Sequence, residues 1–349
     1  MNKPSKVDFH GALNIFDEAC LRADHSIKLI VNPLGGQFIF FKRSSLLNKI
    51  LRKIGIFFRH LKLVLNLYLE AQRNDILIIR EFSTIPLLFF IPLLFPLMSR
   101  LRFIVNHNLQ WALRNKIEQW AFSCLCKLGV GFIFFEINII DHLTQFQSQK
   151  TRHWVLPHPV GPLKTRMVKV PSEYVIGVIG QYRSEKGMDE IISVLLDLKK
   201  NTTKKIQLIM GFSNVDEFFA TSIHSGKGLK ILDTRKDEDY YNAICSCDIL
   251  LLNYQKDAYM YRASGLIADA ASCQTAIIIP DSLPVLYKQL TTPCSIGEIF
   301  PNVNDLKNTI FQAMNKVKGK KYNFVGYYNG RNSQALAKKL DKFCLQRVL

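Results

Sequence analysis

Acidic residues are scarce in this chain: 28 Asp and Glu stand against 46 Lys and Arg among 349 residues, a formal charge of +18. Such a surplus suits an anionic partner, and nucleic acid, anionic lipid and phosphorylated substrates all qualify. No long stretch is without apolar residues, which excludes a disordered chain. No internal repeat or low-complexity tract is present. The eight cysteines are scattered. Two pairs, Cys124/Cys126 and Cys245/Cys247, have Cys-x-Cys spacing, which does not match a zinc site. They read as small buried residues in helices, in a reducing compartment. The apolar run from Ile85 to Met98 falls short of the roughly 20 residues that span a bilayer, and three prolines interrupt it. It is expected to be a buried helix between two strands, with shallow membrane insertion as the other reading. The first eight residues are polar and carry no secretory apolar core, so a cytoplasmic location is expected.

What the chain does have is an alternation of short apolar runs and amphipathic stretches. In the second half, strands are predicted over Tyr174–Ile179, Ile206–Met210, Leu229–Leu232, Ile249–Leu252 and Ala276–Ile279. Helices are predicted over Met188–Lys200, Val215–Ser222, Asp237–Cys245 and Gly265–Ala271. Near-continuous β-branched strands alternating with helices imply a parallel sheet covered on both faces. The first half repeats the rhythm with strands at Ile27–Val31, Ile76–Ile79, Phe103–Val105, Val130–Phe134 and Trp154–Leu156. The expected architecture is therefore α/β, two tandem Rossmann-like doubly wound domains facing a cleft. The domains are placed at 1–158 and 159–332, divided near the proline-rich Pro157–Pro162, with a last helix at 333–349.

Between Lys42 and Lys62 seven Lys and Arg occur with no acid, interleaved with Leu46, Leu47, Ile50, Leu51, Ile54, Phe57, Phe58 and Leu61. That is a basic amphipathic helix, read either as a membrane-surface element or as a core-packed helix with a solvated basic face.

Two clusters carry chemistry. Gly177-Val-Ile-Gly-Gln-Tyr-Arg-Ser-Glu-Lys-Gly187 joins a strand to a helix, and Arg183 and Lys186 project where a helix start offers free N–H groups. A diphosphate suits that turn, although a basic turn without a ligand is also common. The second cluster runs from Asp248-Ile-Leu-Leu-Leu-Asn-Tyr254 to Tyr261-Arg-Ala-Ser-Gly-Leu-Ile-Ala-Asp269. Ser264-Gly265 begins a helix there, either as phosphate contacts or with Ser264 as a plain N-cap.

Together these motifs resemble the family 4-like GT-B glycosyltransferases, over about residues 153–320: Gly-x-x-Arg-x-x-Lys-Gly at the first turn, then Asp, an apolar strand, Asn-Tyr, Ser-Gly, a helix and a strand ending in Pro. The resemblance implies transfer of a hexose-type sugar from a nucleotide-diphosphate donor to a lipid-linked or polysaccharide acceptor, as in cell-surface glycan or lipopolysaccharide synthesis. It implies no metal and no cofactor beyond the donor. Gly180, Arg183 and Lys186 would hold the diphosphate, with Tyr254, Ser264 and Gly265 beside it. Asp269 would meet the ribose, and the nucleobase would rest near Thr234-Arg235. In the first half, His107 in Asn106-His107-Asn108 resembles the family's cleft-facing histidine, as a sugar contact or a base; it also reads as a histidine satisfying local hydrogen bonds. Glu81 is the alternative base. Together with the basic helix, the resemblance implies an enzyme peripheral to the inner membrane face.

Three departures stand out. Arg262 occupies the position read for the first acid of the family's acidic pair, Asn253 replaces Pro before Tyr254, and Gly35-Gly36 is an imperfect N-terminal glycine loop. Asp237-Glu-Asp239 has Asp-x-Asp spacing but opens a helix, where acids suit the dipole. Two other functions fit parts of the pattern. One is a nucleotide-sugar epimerase on the same fold; the other is a nucleic-acid-binding protein, suggested by charge alone and without a reading motif.

Overall fold

The computed structural model describes residues 10–24, 27–30, 46–70, 75–105, 108–137, 139, 153–165, 173–222 and 229–345. The chain forms two parallel sheets, each with its own core. One compact unit is Ala19–Leu156 together with the segment from Ala337; the other is Pro157–Leu336 with the residues before Ala19. The last helix, Ser333–Leu345, is therefore shared, and Phe343 stacks on Trp154 of the first unit at 5.4 Å between ring centroids.

The first sheet contains β1 (Ile27–Ile30), β2 (Ile76–Ile79), β3 (Leu101–Ile104), β4 (Phe132–Phe135) and β5 (His153–Leu156), side by side in chain order. Every residue of β2, β3 and β4 is buried, as a sheet covered on both faces requires. Strand β3 begins two residues before the apolar run suggests because it includes Arg102. That guanidinium is buried, donates to the Leu101 carbonyl at 2.7 Å and lies 4.9 Å from the Trp154 ring centre. Its cation–aromatic contact and hydrogen bond offset the cost of burial.

The Ile85–Met98 run is helical over Thr84–Leu94, between β2 and β3, and continues as a single 3-10 turn. It is not the buried helix its composition suggests. Leu87, Phe90, Ile91 and Leu94 are covered, whereas Ile85, Phe89, Leu93 and Phe95 are exposed. The basic amphipathic segment forms the helix Leu46–Glu70. Lys42 and Arg43 lie outside the described residues, as do Gly35-Gly36 and His107.

His60 joins these two helices. Its Nδ1 donates to the Ile56 carbonyl at 2.8 Å, and its Nε2 accepts from the Ser83 N–H at 2.9 Å. That pair of bonds requires the neutral ring. Burial and the nearby Arg59 hold its pKa below the ordinary value, against the backbone bond to Ile56. The unfolded chain then binds a proton that the folded chain refuses, so stability is complete above roughly pH 6.5 and falls as pH drops from there toward the folded pKa. Thermal melting between pH 7.5 and 5 is expected to show a steeper loss for the native chain than for His60→Gln.

The second sheet contains β6 (Glu173–Gly180), β7 (Lys205–Phe212), β8 (Lys230–Asp233), β9 (Ile249–Leu251), β10 (Ala276–Pro280) and β11 (Gly297–Phe300). Their order is β11-β10-β9-β6-β7-β8, all parallel, which is the Rossmann order with its reversal between β6 and β9. Alternate residues of β6 enter different cores. Val175 and Ile179 pack with the helices Asp237–Ser246 and Gly265–Ser272, while Ile176 and Val178 pack with Met188–Asn201 and Leu306–Lys318. Strand β11, which the sequence pattern does not announce, carries Glu298. The Lys316 ammonium at 2.7 Å and the Tyr322 hydroxyl at 2.7 Å satisfy that carboxylate.

Candidate functional site

The reversal between β6 and β9 leaves a crevice at the carboxyl ends of these strands, and two loops meet there. The β6 exit turns at Gly180, whose φ of +131° is unsuited to a side chain. A one-turn 3-10 helix, Ser184–Lys186, follows and ends at Gly187 with φ +54°. A Cβ on Gly187 would lie 2.6 Å from the Asn253 carbonyl oxygen, so this glycine lets the β9 exit approach. The Gln255 N–H donates to the Glu185 carbonyl at 3.0 Å. Asn253, the residue in place of the family's proline, donates through Nδ2 to Glu190 at 2.6 Å and so ties its loop to the first turn of the Met188–Asn201 helix.

Positive charge converges on this junction. The Lys186 ammonium lies 3.1 Å from where a Gly180 Cβ would stand, and 5.6 Å from the centre of the Tyr254 ring. Burial first, and then the Arg183 and Arg262 guanidiniums, lower its pKa to about 8 against the opposing Glu185. Tyr254 and Tyr259 stack at 4.0 Å, and the Arg262 guanidinium lies 4.5 Å from the Tyr259 ring centre. Two stacked rings thus carry a cation each. Arg183 is exposed; it pairs with Gln181 and reaches Glu185 at 3.5 Å. The sequence marks Arg262 only as a missing acid, whereas the structure makes it a third cation of the cluster. Neither Tyr261 nor Arg262 supplies an acid ahead of Asp269.

Ser264 is the N-cap residue of the helix Gly265–Ser272, yet its hydroxyl makes no capping bond. It is buried and lies 3.5 Å from the Tyr254 hydroxyl. Its backbone is held by Gln289 on both sides: the Ser264 N–H donates to Oε1 at 2.8 Å, and Nε2 donates to the Ser264 carbonyl at 2.8 Å. The plain N-cap reading therefore does not describe the hydroxyl. A Cβ on Gly265 would meet no atom of the described residues within 4 Å, so among them the helix start is open.

The remaining residues lie farther along the same sheet edge or elsewhere. Thr234 follows β8 and is buried, with no partner for its Oγ1 among the described residues. Arg235 is exposed, donating to Asp233 through Nε at 2.7 Å and lying 3.8 Å from Asp216. Asp269, one turn into its helix, accepts from the Tyr240 hydroxyl at 2.9 Å and the Tyr241 hydroxyl at 3.1 Å. Burial raises its pKa to about 6, opposed by those two bonds. Glu81 follows β2 in the first unit and is half-buried. Asp237, Glu238 and Asp239 occupy the first turn of Asp237–Ser246. Among the described residues no group of three or more His, Cys, Asp or Glu side chains is placed to hold a metal.

Two Rossmann-like units, the second with a cationic crevice at its switch point, define the GT-B architecture, and comparison with solved structures shows that the chain has this fold. Sucrose-phosphate synthase from Thermosynechococcus elongatus superposes with a TM-score of 0.61 at 12% identity, over 90% of this chain and 82% of that one. An α,α-trehalose-phosphate synthase (UDP-forming) from Burkholderia xenovorans, in complex with glucose-6-phosphate, gives 0.55 at 11% identity, over 83% and 77%. The pneumococcal O-GlcNAc transferase GtfA, in complex with UDP and GlcNAc, gives 0.55 at 11% identity over 80% of this chain, which spans 58% of GtfA. No protein-family model matches the sequence, and no curated protein sequence matches it.

Proposed function

We propose that the chain is a glycosyltransferase taking its sugar from a nucleotide-diphosphate donor bound at the β6–β9 crevice. The observation that carries this reading is the convergence of Arg183, Lys186 and Arg262, with Lys186 desolvated over a left-handed glycine. Three cations held together without an equal number of acids are costly unless an anion joins them, and a diphosphate supplies two charged groups. The same cations stabilise the departing diphosphate as the glycosidic bond breaks, where fixed charge contributes most. Ser264, with its hydroxyl free of the capping role, and the open N–H groups from Gly265 complete the phosphate cradle. Thr234 and Arg235 are assigned to the nucleobase, and Asp269 to the ribose. The solved relative crystallised with UDP and GlcNAc agrees with this class of donor. The acceptor is a lipid-linked or polysaccharide glycan at the cytoplasmic membrane face, and Glu81 and His107 are the candidate bases on the acceptor side.

The test is a panel of nucleoside diphosphates and their sugars scored by thermal shift. A ligand at a hundred times its Kd adds about 2.7 kcal/mol to the folded state. A clear rise for one nucleoside diphosphate, lost in Arg183→Ala, is expected. No shift across the panel would remove the proposal. Incubation of the responding nucleotide sugar without acceptor is expected to leave its sugar unepimerised.

A further inference from the structure

The sequential order of the first sheet has a consequence for its helices. Right-handed crossovers from β1 to β2, β2 to β3 and β3 to β4 send Leu46–Glu70, Thr84–Leu94 and Lys116–Lys127 to the same face. There they pack side by side, the first against the second and the second against the third. Phe57 meets Phe89 at 4.9 Å and Phe90 at 4.8 Å. A helix layer on a sheet should turn polar side chains outward. This one does not. On Leu46–Glu70 the outward stripe is Ile54, Phe58, Lys62, Leu65 and Leu69, while Leu63, Val64 and Leu67 are buried beneath. The neighbouring helices continue the apolar surface with Phe89, 66% exposed, and Trp120, 60% exposed; Phe58 is 62% exposed.

We infer that this three-helix face docks on an anionic lipid surface. Charge selects the occupant. Five Lys and Arg and no acid lie between Leu46 and Leu69, and the third helix begins and ends on Lys116 and Lys127, its one acid, Glu118, being half-buried. Among the described side chains, Lys62 stands within the stripe, and Arg114, Lys116 and Lys127 are exposed beside Trp120. A second copy on this face would bring two basic rims together, which like-charge repulsion opposes, whereas anionic headgroups complement them. Exposed aromatic rings flanked by lysine and arginine suit the headgroup boundary. No helix among the described residues is long and apolar enough to cross a membrane, so the face lies on the lipid. The inference deepens the acceptor half of the proposed function, and rests on that reading only for the acceptor's identity.

Flotation of the full chain with vesicles provides the test, using phosphatidylcholine alone and phosphatidylcholine with roughly one-third phosphatidylglycerol. Binding is expected to the anionic vesicles, and to weaken severalfold in high salt and on neutral vesicles. Removing exposed aromatic side chains that become buried in lipid costs roughly tenfold each, so Phe58→Ser/Phe89→Ser/Trp120→Ser should lower partitioning by about three orders of magnitude. Lys62→Glu should weaken binding to anionic vesicles alone. The triple variant should keep its nucleotide response and lose only the small stability of the Phe57–Phe89 ring contact, which separates this inference from failure of the donor site. Equal flotation of native and triple-variant chains would overturn it. So would a native dimer that leaves vesicles unbound and that the triple variant converts to monomer.

Discussion

Replacing Lys186 with methionine is expected to lower kcat/KM for glycosyl transfer by roughly 100- to 1000-fold, the usual cost of removing one fixed donor to transition-state charge. The same change is expected to raise the melting temperature at pH 7. Lys186 is held against Arg183 and Arg262 in a partly desolvated crevice, with its pKa lowered to about 8. Below that pH the fold must carry a charge that the unfolded chain carries at less cost. Stability therefore rises as pH climbs through the folded pKa toward the unfolded one, and methionine removes the penalty. Loss of activity in a more stable protein cannot be attributed to misfolding. A bound diphosphate reverses the balance by favouring the ammonium, so native binding should be strongest below about pH 8 and weaken by up to tenfold per unit above it. Above that pH, binding should take up a proton, visible as a dependence of calorimetric heat on buffer ionisation. A variant that keeps nucleotide affinity and its pH profile would displace Lys186 from the phosphate site.

Much of the second sheet is legible in the sequence because its strands are short apolar runs bounded by turn residues. Strands β6, β7, β9 and β10 lie within two residues of their expected limits. Strand β11 escapes because an acid sits in its four residues and is satisfied only by Lys316 and Tyr322, from beyond the strand. In the first unit, the apolar composition of Thr84–Leu94 implies burial but does not say that a second apolar side faces outward. That follows from sheet order and the helix layer it imposes. The candidate site divides in the same way. Gly180, Arg183, Lys186 and Ser264-Gly265 announce themselves by local spacing. Arg262 does not, since its meaning depends on bringing the β9 exit to the β6 turn, a contact between Asn253 and Gly187 that are 66 residues apart. In sequence Ser264 reads as a cap or as a phosphate contact, and only the structure shows that its hydroxyl makes no capping bond.

Gln289 leaves no mark in the sequence at all, and its removal should have the second large effect. It is fully buried in the helix Pro284–Thr291 and grips the Ser264 N–H and carbonyl with one amide. Its own carbonyl accepts from the Tyr327 hydroxyl and, at 3.2 Å, from the Arg331 guanidinium, so the grip is anchored from behind. Gln289→Leu preserves the bulk but leaves a buried donor and a buried acceptor on Ser264 unpaired, at about 2–4 kcal/mol. The melting temperature should fall by roughly 2–4 °C per kcal/mol for a unit of this size. In the proposed site Ser264 sets the helix start offered to the phosphates, so the donor KM should rise at least tenfold at temperatures where the protein is fully folded. Leu195→Ala provides the control. It removes a buried side chain at a similar cost of about 2–5 kcal/mol, yet one that belongs to the other core of the sheet, which includes no residue of the helix Pro284–Thr291. A matched loss of stability with an unchanged donor KM is expected there. Gln289→Glu separates the two bonds: its carboxylate accepts from the Ser264 N–H and can return a proton to the carbonyl only when protonated. Donor affinity in that variant should therefore recover in part as pH falls. If Gln289→Leu and Leu195→Ala raise the donor KM alike, Gln289 stabilises the fold without positioning Ser264.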